Sequence, residues 1–377
     1  MPGAPISNIA MISPLFESVP PKLYGGTERV IYNLCRGLKD AGVKVTLFAS
    51  GDSGEAPAEL VPVVPEAFRL MKKAPTDLNP YYLRMLSQVA ARASEFDVIH
   101  NHHDYWMLPL SEMTTTPVLT TMHGRLDLPD IPAAFMSYPK ASFISISDAQ
   151  RGPLALLNWA RTIYHGIDLN DFKFYPEPGK YLAFLGRIDD HKRPDLAIAI
   201  AKKAGIPLKI AAKIEGKESQ QFYDAHVKRH VDGKFIEYVG EISEKEKCEF
   251  LGNAVGLAFP IDWPEPFGLV MIESLACGTP VLARPCGSVL EILRDGVTGF
   301  VHSDINVLAQ NAVKLASMDR KKMRSWVETR FSIQRMTEDY INVYRHLSES
   351  QSYRQQARPR ATTHRRDFLY PVERSSH

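Results

Sequence analysis

The chain has 377 residues, 45% of them hydrophobic and 23% charged, with a formal net charge of +2. That length accommodates two cores better than one, and the composition is that of a folded globular chain without the basic field that nucleic acid would require. Four scattered cysteines (Cys35, Cys248, Cys277, Cys286) with no CxxC pair fit reduced thiols, not a disulfide framework or a zinc site.

Residues 8–13 are a short apolar run, expected as the first buried strand. The Pro- and Gly-rich stretch 14–26 reads as a loop, with Thr27 as N-cap of a helix over 28–39 that buries Val30, Ile31, Leu34 and Leu38. Another strand follows over 43–49. Strand, Gly-rich loop and helix repeat the opening of a dinucleotide-type unit, where glycines such as Gly25 and Gly26 admit a ligand to a helix N-terminus; a plain tight turn is the other reading. Segment 51–79 is Pro-rich and without period, so it reads as a surface excursion. A helix over 80–93 and a strand over 97–100 lead into the polar cluster 101–106. His100, His102, His103 and Asp104 have metal-ligand chemistry, but neighbours on an extended chain point to alternate faces and no second cluster completes a coordination set. They are expected as strand-end residues lining a cleft. A strand over 117–122 ends at His123, a strand over 141–147 is followed by a helix, and a linker runs through 176–179.

The second half opens with a strand over 181–186 and two cations, Arg187 and Lys192, beside a helix start. Arg offers a bidentate fork and Lys a point charge, which together suit a diphosphate; solvated surface cations are the alternative. Asp189 and Asp190 sit among these cations and need no ion. Strands over 208–213 and 235–241, with helices near 244–251, 288–293 and 307–316, continue the alternating pattern. The stretch 255–281 carries the most information. An apolar run stops at prolines, Pro264 and Pro266 stiffen a turn around Glu265, and Phe267-Gly268 opens a helix with apolar Leu269, Ile272, Leu275 and Ala276. The free amides of that first turn attract phosphate or hydroxyl oxygens, and Gly268 lets a ligand approach the backbone. Glu265 and Glu273 lie about 10 Å apart along the axis at roughly 1.5 Å per residue, near the span from sugar to ribose in a sugar nucleotide. By residue type alone, the same pair reads as a dipole-complementing Glu and a solvated one. Residues 331–347 form an amphipathic helix with Met336, Tyr340 and Tyr344, and 351–377 is an Arg-, Gln- and Ser-rich tail expected to be mobile.

The string Pro264-Glu265-Pro266-Phe267-Gly268-Leu269-Val270-Met271-Ile272-Glu273-Ser274-Leu275-Ala276-Cys277-Gly278-Thr279-Pro280-Val281 closely resembles the donor-binding motif of the family 4 glycosyltransferases, retaining enzymes of the GT-B fold. The resemblance spans about 6–347 and is strongest over 186–299. It implies an α/β architecture of two Rossmann-like doubly wound domains facing a central cleft. Residues 1–172 would be the acceptor-side domain, completed by a crossing helix at about 333–350, and 173–332 the nucleotide-sugar domain. It further implies retaining transfer of a hexose, glucose or mannose first, from a UDP- or GDP-sugar to a hydroxyl of a glycan, glycolipid or small molecule. No cofactor and no metal are expected. By the same resemblance Glu265, Phe267, Gly268 and Leu269 hold the donor sugar, Glu273 the ribose, and Gly25, Gly26, Arg187 and Lys192 the diphosphate. His123 lies beside the sugar, and the catalytic set is His123, Arg187, Lys192 and Glu265. His165 replaces the family's Asn, Lys213 departs from a Gly-rich strand end, and Glu291 matches a pattern expected to be structural.

Two other classes stay open on the same scaffold: a sugar-nucleotide epimerase and a sugar-nucleotide-binding protein without catalysis. An NAD dehydrogenase is disfavoured because the first turn lacks G-x-G-x-x-G. No apolar run approaches the length of a membrane span and no leader pattern opens the chain, so a cytoplasmic location is expected. The cations of the tail are candidates for peripheral contact with acidic lipid at the inner face of the membrane, against plain solvation. Nothing in the sequence sets an oligomeric state.

Overall fold

The computed structural model describes residues 5–22, 25–73 and 75–356, with 351–356 described as helical backbone alone. The first sheet is built from β1 (Asn8–Ile12), β2 (Lys44–Ser50), β3 (Glu59–Val64), β4 (Val98–Asn101), β5 (Val118–Thr121), β6 (Ser142–Ser145) and β7 (Trp159–Thr162). The second comprises β8 (Tyr181–Arg187), β9 (Leu208–Lys213), β10 (Ile236–Gly240), β11 (Ala254–Phe259), β12 (Val281–Ala283) and β13 (Gly299–Val301). Their orders are β3-β2-β1-β4-β5-β6-β7 and β10-β9-β8-β11-β12-β13, and the pairings are parallel. Both are doubly wound, so each has a switch point where the strand order reverses, between β1 and β4 and between β8 and β11. Ligands bind such sheets in the crevice outside the carboxyl ends at that point.

The central strands carry helices on both faces and are therefore continuously apolar; every residue of β11 is buried. Two strands depart from the expectation. Segment 51–79 is not all excursion: β3 pairs with β2 at the sheet edge, where Pro62 is tolerated because one side of the ladder has no partner. The chain after 147 forms a short 3-10 turn (Ala149–Leu154) and then the half-exposed edge strand β7, not a full helix. Thr27 is not the N-cap of the first helix. That helix spans Gly26–Asp40 and Gly25 is its N-cap, with no side-chain cap hydrogen bond. Helices Gly216–Phe222 and Arg320–Arg330 were not anticipated.

The helix Ile333–Gln356 returns to the first sheet and buries Met336, Tyr340 and Tyr344 in its core. It crosses the Gly26–Asp40 helix so closely that a Cβ on Gly37 would lie 1.9 Å from Thr337 Oγ1. It also runs past 351, where the tail was expected to start; residues 357–377 of that tail lie outside the described residues. Glu291 ties the two sheet units together. Its carboxylate accepts the backbone N–H groups of Asp148 (2.7 Å) and Ala149 (2.8 Å) and the hydroxyl of Tyr164 (3.1 Å). Among the described residues no helix is long and apolar enough to cross a membrane.

Candidate functional site

The carboxyl ends of the two sheets enclose a cleft of about 420 Å³. Its second-domain wall is the segment 259–273. The helix Leu269–Ala276 starts behind Gly268, which holds φ +80, a left-handed conformation that a side chain disfavours; a Cβ there would lie 2.7 Å from Met271 Cε. The preceding turn is pinned from behind. Ser288 donates its N–H to Glu265 O (2.9 Å) and its hydroxyl to Phe267 O (2.8 Å). Gly268, Leu269 and Phe267 all line the cleft, and Phe267 is 2% exposed.

Two carboxylates flank this helix start, and neither faces bulk water: Glu265 is 7% and Glu273 5% exposed. Buried acids need partners, and each has a lysine. Glu265 is ion-paired with Lys192 and accepts from Trp263 Nε1 at 2.8 Å. The Lys192 ammonium also lies 4.7 Å from the Trp263 ring centroid, within cation–π range. Glu273 accepts from Lys247 Nζ at 2.9 Å, and Lys247 also reaches Glu244 at 2.7 Å. Burial pushes the Glu273 carboxyl up, against the pull of Lys247. Burial acts to lower the Lys247 ammonium, but Glu273 and Glu244 outweigh it and hold it above the usual lysine range.

Lys192 is positioned by the turn after β8, where its amide donates to Asp189 Oδ1 at 2.7 Å. Arg193 then takes a left-handed φ of 55 before Pro194 starts the next helix. Arg187 ends β8, lines the cleft with its side chain 39% exposed, and lies 3.4 Å from Asp189; its Nε is buried without a partner among the described residues. Lys213, the departure at the end of β9, also lines the cleft and pairs with Glu215 at 3.4 Å.

The first-domain wall is formed by the turn after β1 and the end of β5. Gly25 and Gly26 line the cleft, and a Cβ on Gly26 would meet Leu269 Cδ1 at 3.6 Å, so the two helix starts face each other closely. Glu28, in the first turn of the Gly26–Asp40 helix, also lines the cleft, and burial pushes its carboxyl up to about 7. Glu17 and Arg69 pair at 3.1 Å at the cleft edge, and Arg69 reaches Glu215 of the second domain at 3.7 Å.

The histidines divide. His123 and His165 line the cleft, whereas His100, His102, His103 and Asp104 do not, contrary to the expectation for strand-end residues there. His100 is buried between Tyr344 OH (2.7 Å) and Thr121 Oγ1 (2.8 Å), bonds that only the returning C-terminal helix and β5 could supply. His103 packs between Tyr82 and Trp106. His102 turns toward His123, with Nδ1 and Nε2 2.8 Å apart. Among the described residues no group of three or more His, Cys, Asp or Glu is arranged to hold a metal.

Sequence reasoning did not assign Lys247, Trp263 or Glu28 to the site, and it left the role of His165, which lines the cleft, open. A signal existed for Lys247: it stands three and four residues before Phe250 and Leu251, on the buried face of the helix Glu244–Gly252.

Residues 24–203 match a family model described as Glycosyltransferase Family 4, and residues 169–329 one described as Glycosyl transferases group 1. The chain is 26% identical over 360 residues to a D-inositol 3-phosphate glycosyltransferase of Kribbella flavida, covering 79% of this chain and 84% of that protein. It is 24% identical over 342 residues to a phosphatidyl-myo-inositol mannosyltransferase of Mycobacterium leprae, covering 82% and 88%. Among solved structures, sucrose-phosphate synthase of Thermosynechococcus elongatus superposes with a TM-score of 0.73 at 20% identity, over 91% of this chain and all (100%) of that one. AviGT4, a glycosyltransferase involved in avilamycin A biosynthesis, superposes at 0.68 with 21% identity, over 92% and 98%. HepE of Anabaena, in complex with UDP and glucose, superposes at 0.67 with 18% identity, over 89% and 98%.

Proposed function

We propose that this chain, which belongs to the family 4 glycosyltransferases and has their two-domain GT-B fold, transfers a hexose from a nucleoside-diphosphate sugar to an acceptor hydroxyl with retention at the anomeric carbon. One observation carries the reading: two buried carboxylates, each held by a lysine, flank one helix start inside one cleft. Glu265 would hold hydroxyls of the transferred sugar, and Glu273 those of the ribose. The diphosphate between them would lie against the free amides of the Leu269–Ala276 helix, with Arg187 and Lys192 as its cations and Gly25 and Gly26 closing over it.

Catalysis in this reading is electrostatic. As the bond from the anomeric carbon to the phosphate oxygen breaks, negative charge grows on the departing diphosphate. Arg187, Lys192 and the helix amides are fixed before that charge appears, so they need little reorganisation. Each charge-assisted bond of this kind is worth about 1.5–3 kcal/mol, or roughly 10- to 150-fold in rate if made only in the transition state. The acceptor oxygen bonds to the anomeric carbon from the face the diphosphate leaves, and its proton passes to a departing phosphate oxygen. His123 borders the sugar. The charge of the leaving group is balanced by protein cations and not by a divalent ion, so turnover should be equal with and without a chelator.

Support for the donor class comes from the relatives: HepE has been seen with UDP and with UDP-glucose, and one curated relative is a mannosyltransferase. UDP-glucose and GDP-mannose are therefore the first donors to test. Two curated relatives act on inositol-based acceptors by name, which makes polyol phosphates and their lipids the first acceptors to try. The experiment is a thermal-shift panel of sugar nucleotides followed by NMR of the product. Stabilisation by one donor and a glycoside with the donor's anomeric configuration are expected. An altered free sugar nucleotide without acceptor would mean an epimerase, and binding with neither transfer nor slow hydrolysis would mean a binding protein.

A further inference from the structure

Four histidines form a column from the core of the first sheet to the cleft. His100, His102, His123 and His165 follow one another with ring centroids 4.0, 5.1 and 5.3 Å apart, and Phe267 of the donor wall closes the column 4.7 Å from His165. Burial holds each of these imidazoles well below the usual histidine range, so each is neutral and carries one N–H.

Two neutral imidazoles in hydrogen-bond contact must divide the roles, one donating and one accepting. His102 Nδ1 and His123 Nε2, 2.8 Å apart, are such a pair. The far nitrogens decide between the two arrangements. His102 Nε2 is buried and has no partner among the described residues, whereas His123 Nδ1 is not among the buried unpaired atoms and its ring lines the cleft. Were His123 the donor, His102 would carry its own proton on Nε2, an N–H stranded in a dry site. With His102 as donor, its far nitrogen is a bare lone pair, the defect that folded proteins tolerate more readily. The proton of His123 then sits on Nδ1, on the cleft side.

We propose that His102 is a positioning residue for His123: its Nδ1–H donates to His123 Nε2 and fixes that ring as an Nδ1–H donor toward the sugar end of the cleft. The kinetic part rests on the transferase reading above, whereas the tautomer part does not. The full chain labelled with ¹⁵N gives two-bond histidine spectra that report the tautomer directly, and a His123→Ala variant assigns the signals. The wild type should show His123 protonated on Nδ1 at neutral pH. His102→Leu should give a mixture of tautomers and lower kcat by about 10- to 100-fold with a smaller change in KM, the size seen when the partner orienting a functional histidine is removed. His102→Asn, whose amide N–H can stand where Nδ1–H stood, should keep the tautomer and recover most of the rate. An Nε2–H tautomer at His123 in the wild type overturns the proposal, as does a His102→Leu variant with tautomer and kcat unchanged. If no sugar is transferred by any form, the spectra of the wild type and the Asn variant still decide it.

Discussion

Replacing Glu273 with Gln tests the donor assignment most sharply, because the surroundings of this residue allow binding to be separated from stability. The substitution keeps the volume and removes one charge. Lys247 is not stranded, since Glu244 remains 2.7 Å from its ammonium. Glu273 also carries a buried carboxyl that its site pushes up, so at neutral pH its charge costs the fold something that the amide does not. The melting temperature of Glu273→Gln should therefore stay close to that of the wild type. Binding should not. A carboxylate accepting from ribose hydroxyls makes charge-assisted hydrogen bonds of about 1.5–3 kcal/mol each, so loss of one is roughly a 10- to 150-fold rise in Kd. The assay is calorimetry with the nucleoside diphosphate that stabilises the protein most, repeated with its 2′,3′-dideoxy analogue. Wild type should lose affinity for the analogue by a similar factor, and Glu273→Gln should lose little more, closing a thermodynamic cycle. Equal weakening of both ligands by the substitution, or none of either, would falsify the ribose assignment.

Lys192→Met leaves Glu265 buried with Trp263 Nε1 as its remaining side-chain partner among the described residues, and it should cut kcat by about 10²-fold with a smaller change in donor KM; steady-state kinetics with saturating acceptor would show the reverse if Lys192 served only to bind. His100, His102, His103 and His165 are buried and His123 is half-buried, and burial lowers each of the five imidazoles, His103 to about 4 and His123 to about 3. Below the unfolded-state value near 6.5 the unfolded chain takes up protons that the folded chain refuses, so stability is intact above that pH and falls on acidification toward the folded values. The combined loss is several kcal/mol per pH unit against a total of about 5–15, so melting temperature should drop steeply from pH ~6 to ~5, and a flat profile there would contradict the buried column. Cys248 accepts the Lys173 N–H at 3.1 Å and lies 3.6 Å from Cys277 Sγ, and hydrogen bonding from Cys277 lowers its thiol to about 7, whereas burial pushes Cys35 up to about 12. Mass spectrometry after brief iodoacetamide treatment at neutral pH should find Cys248 alkylated well before Cys35.

What could be read in the sequence is what the chain states locally. Strands β1, β8 and β11 are unbroken apolar runs because they are covered on both faces, and such runs are legible without any partner in view. The edge strands are not. In β3 a proline sits where one ladder is unpaired, and β7 reads Trp-Ala-Arg-Thr because most of it meets solvent. The helix Arg320–Arg330 hides Met323 and Val327 among five basic residues, and its Arg320 is buried only because the carbonyls of Tyr175, Gly252 and Ala254 converge on it. No periodicity announces that arrangement.

The site divides along the same line, and the division explains how it can exist. Glu265, Gly268 and Glu273 stand within one continuous segment, so their spacing on a helix start is visible. Their lysines are not: Lys192 is 73 residues from Glu265, Lys247 is 26 from Glu273, and His102 is 21 from His123. A reading confined to the motif has no means of keeping two acids dry, and burying them unpaired would cost several kcal/mol each. The lysines balance the charge of the two carboxylates and hold them in place before any ligand arrives. They also set a condition on the donor. If Lys192 serves the diphosphate, its ammonium must be shared between phosphate and Glu265, and the sugar hydroxyls donated to Glu265 replace what that carboxylate gives up. A bare nucleoside diphosphate offers the phosphate without the hydroxyls. The intact sugar nucleotide should therefore gain more affinity over the free diphosphate in the wild type than in Glu265→Gln, a difference that the same calorimeter would read.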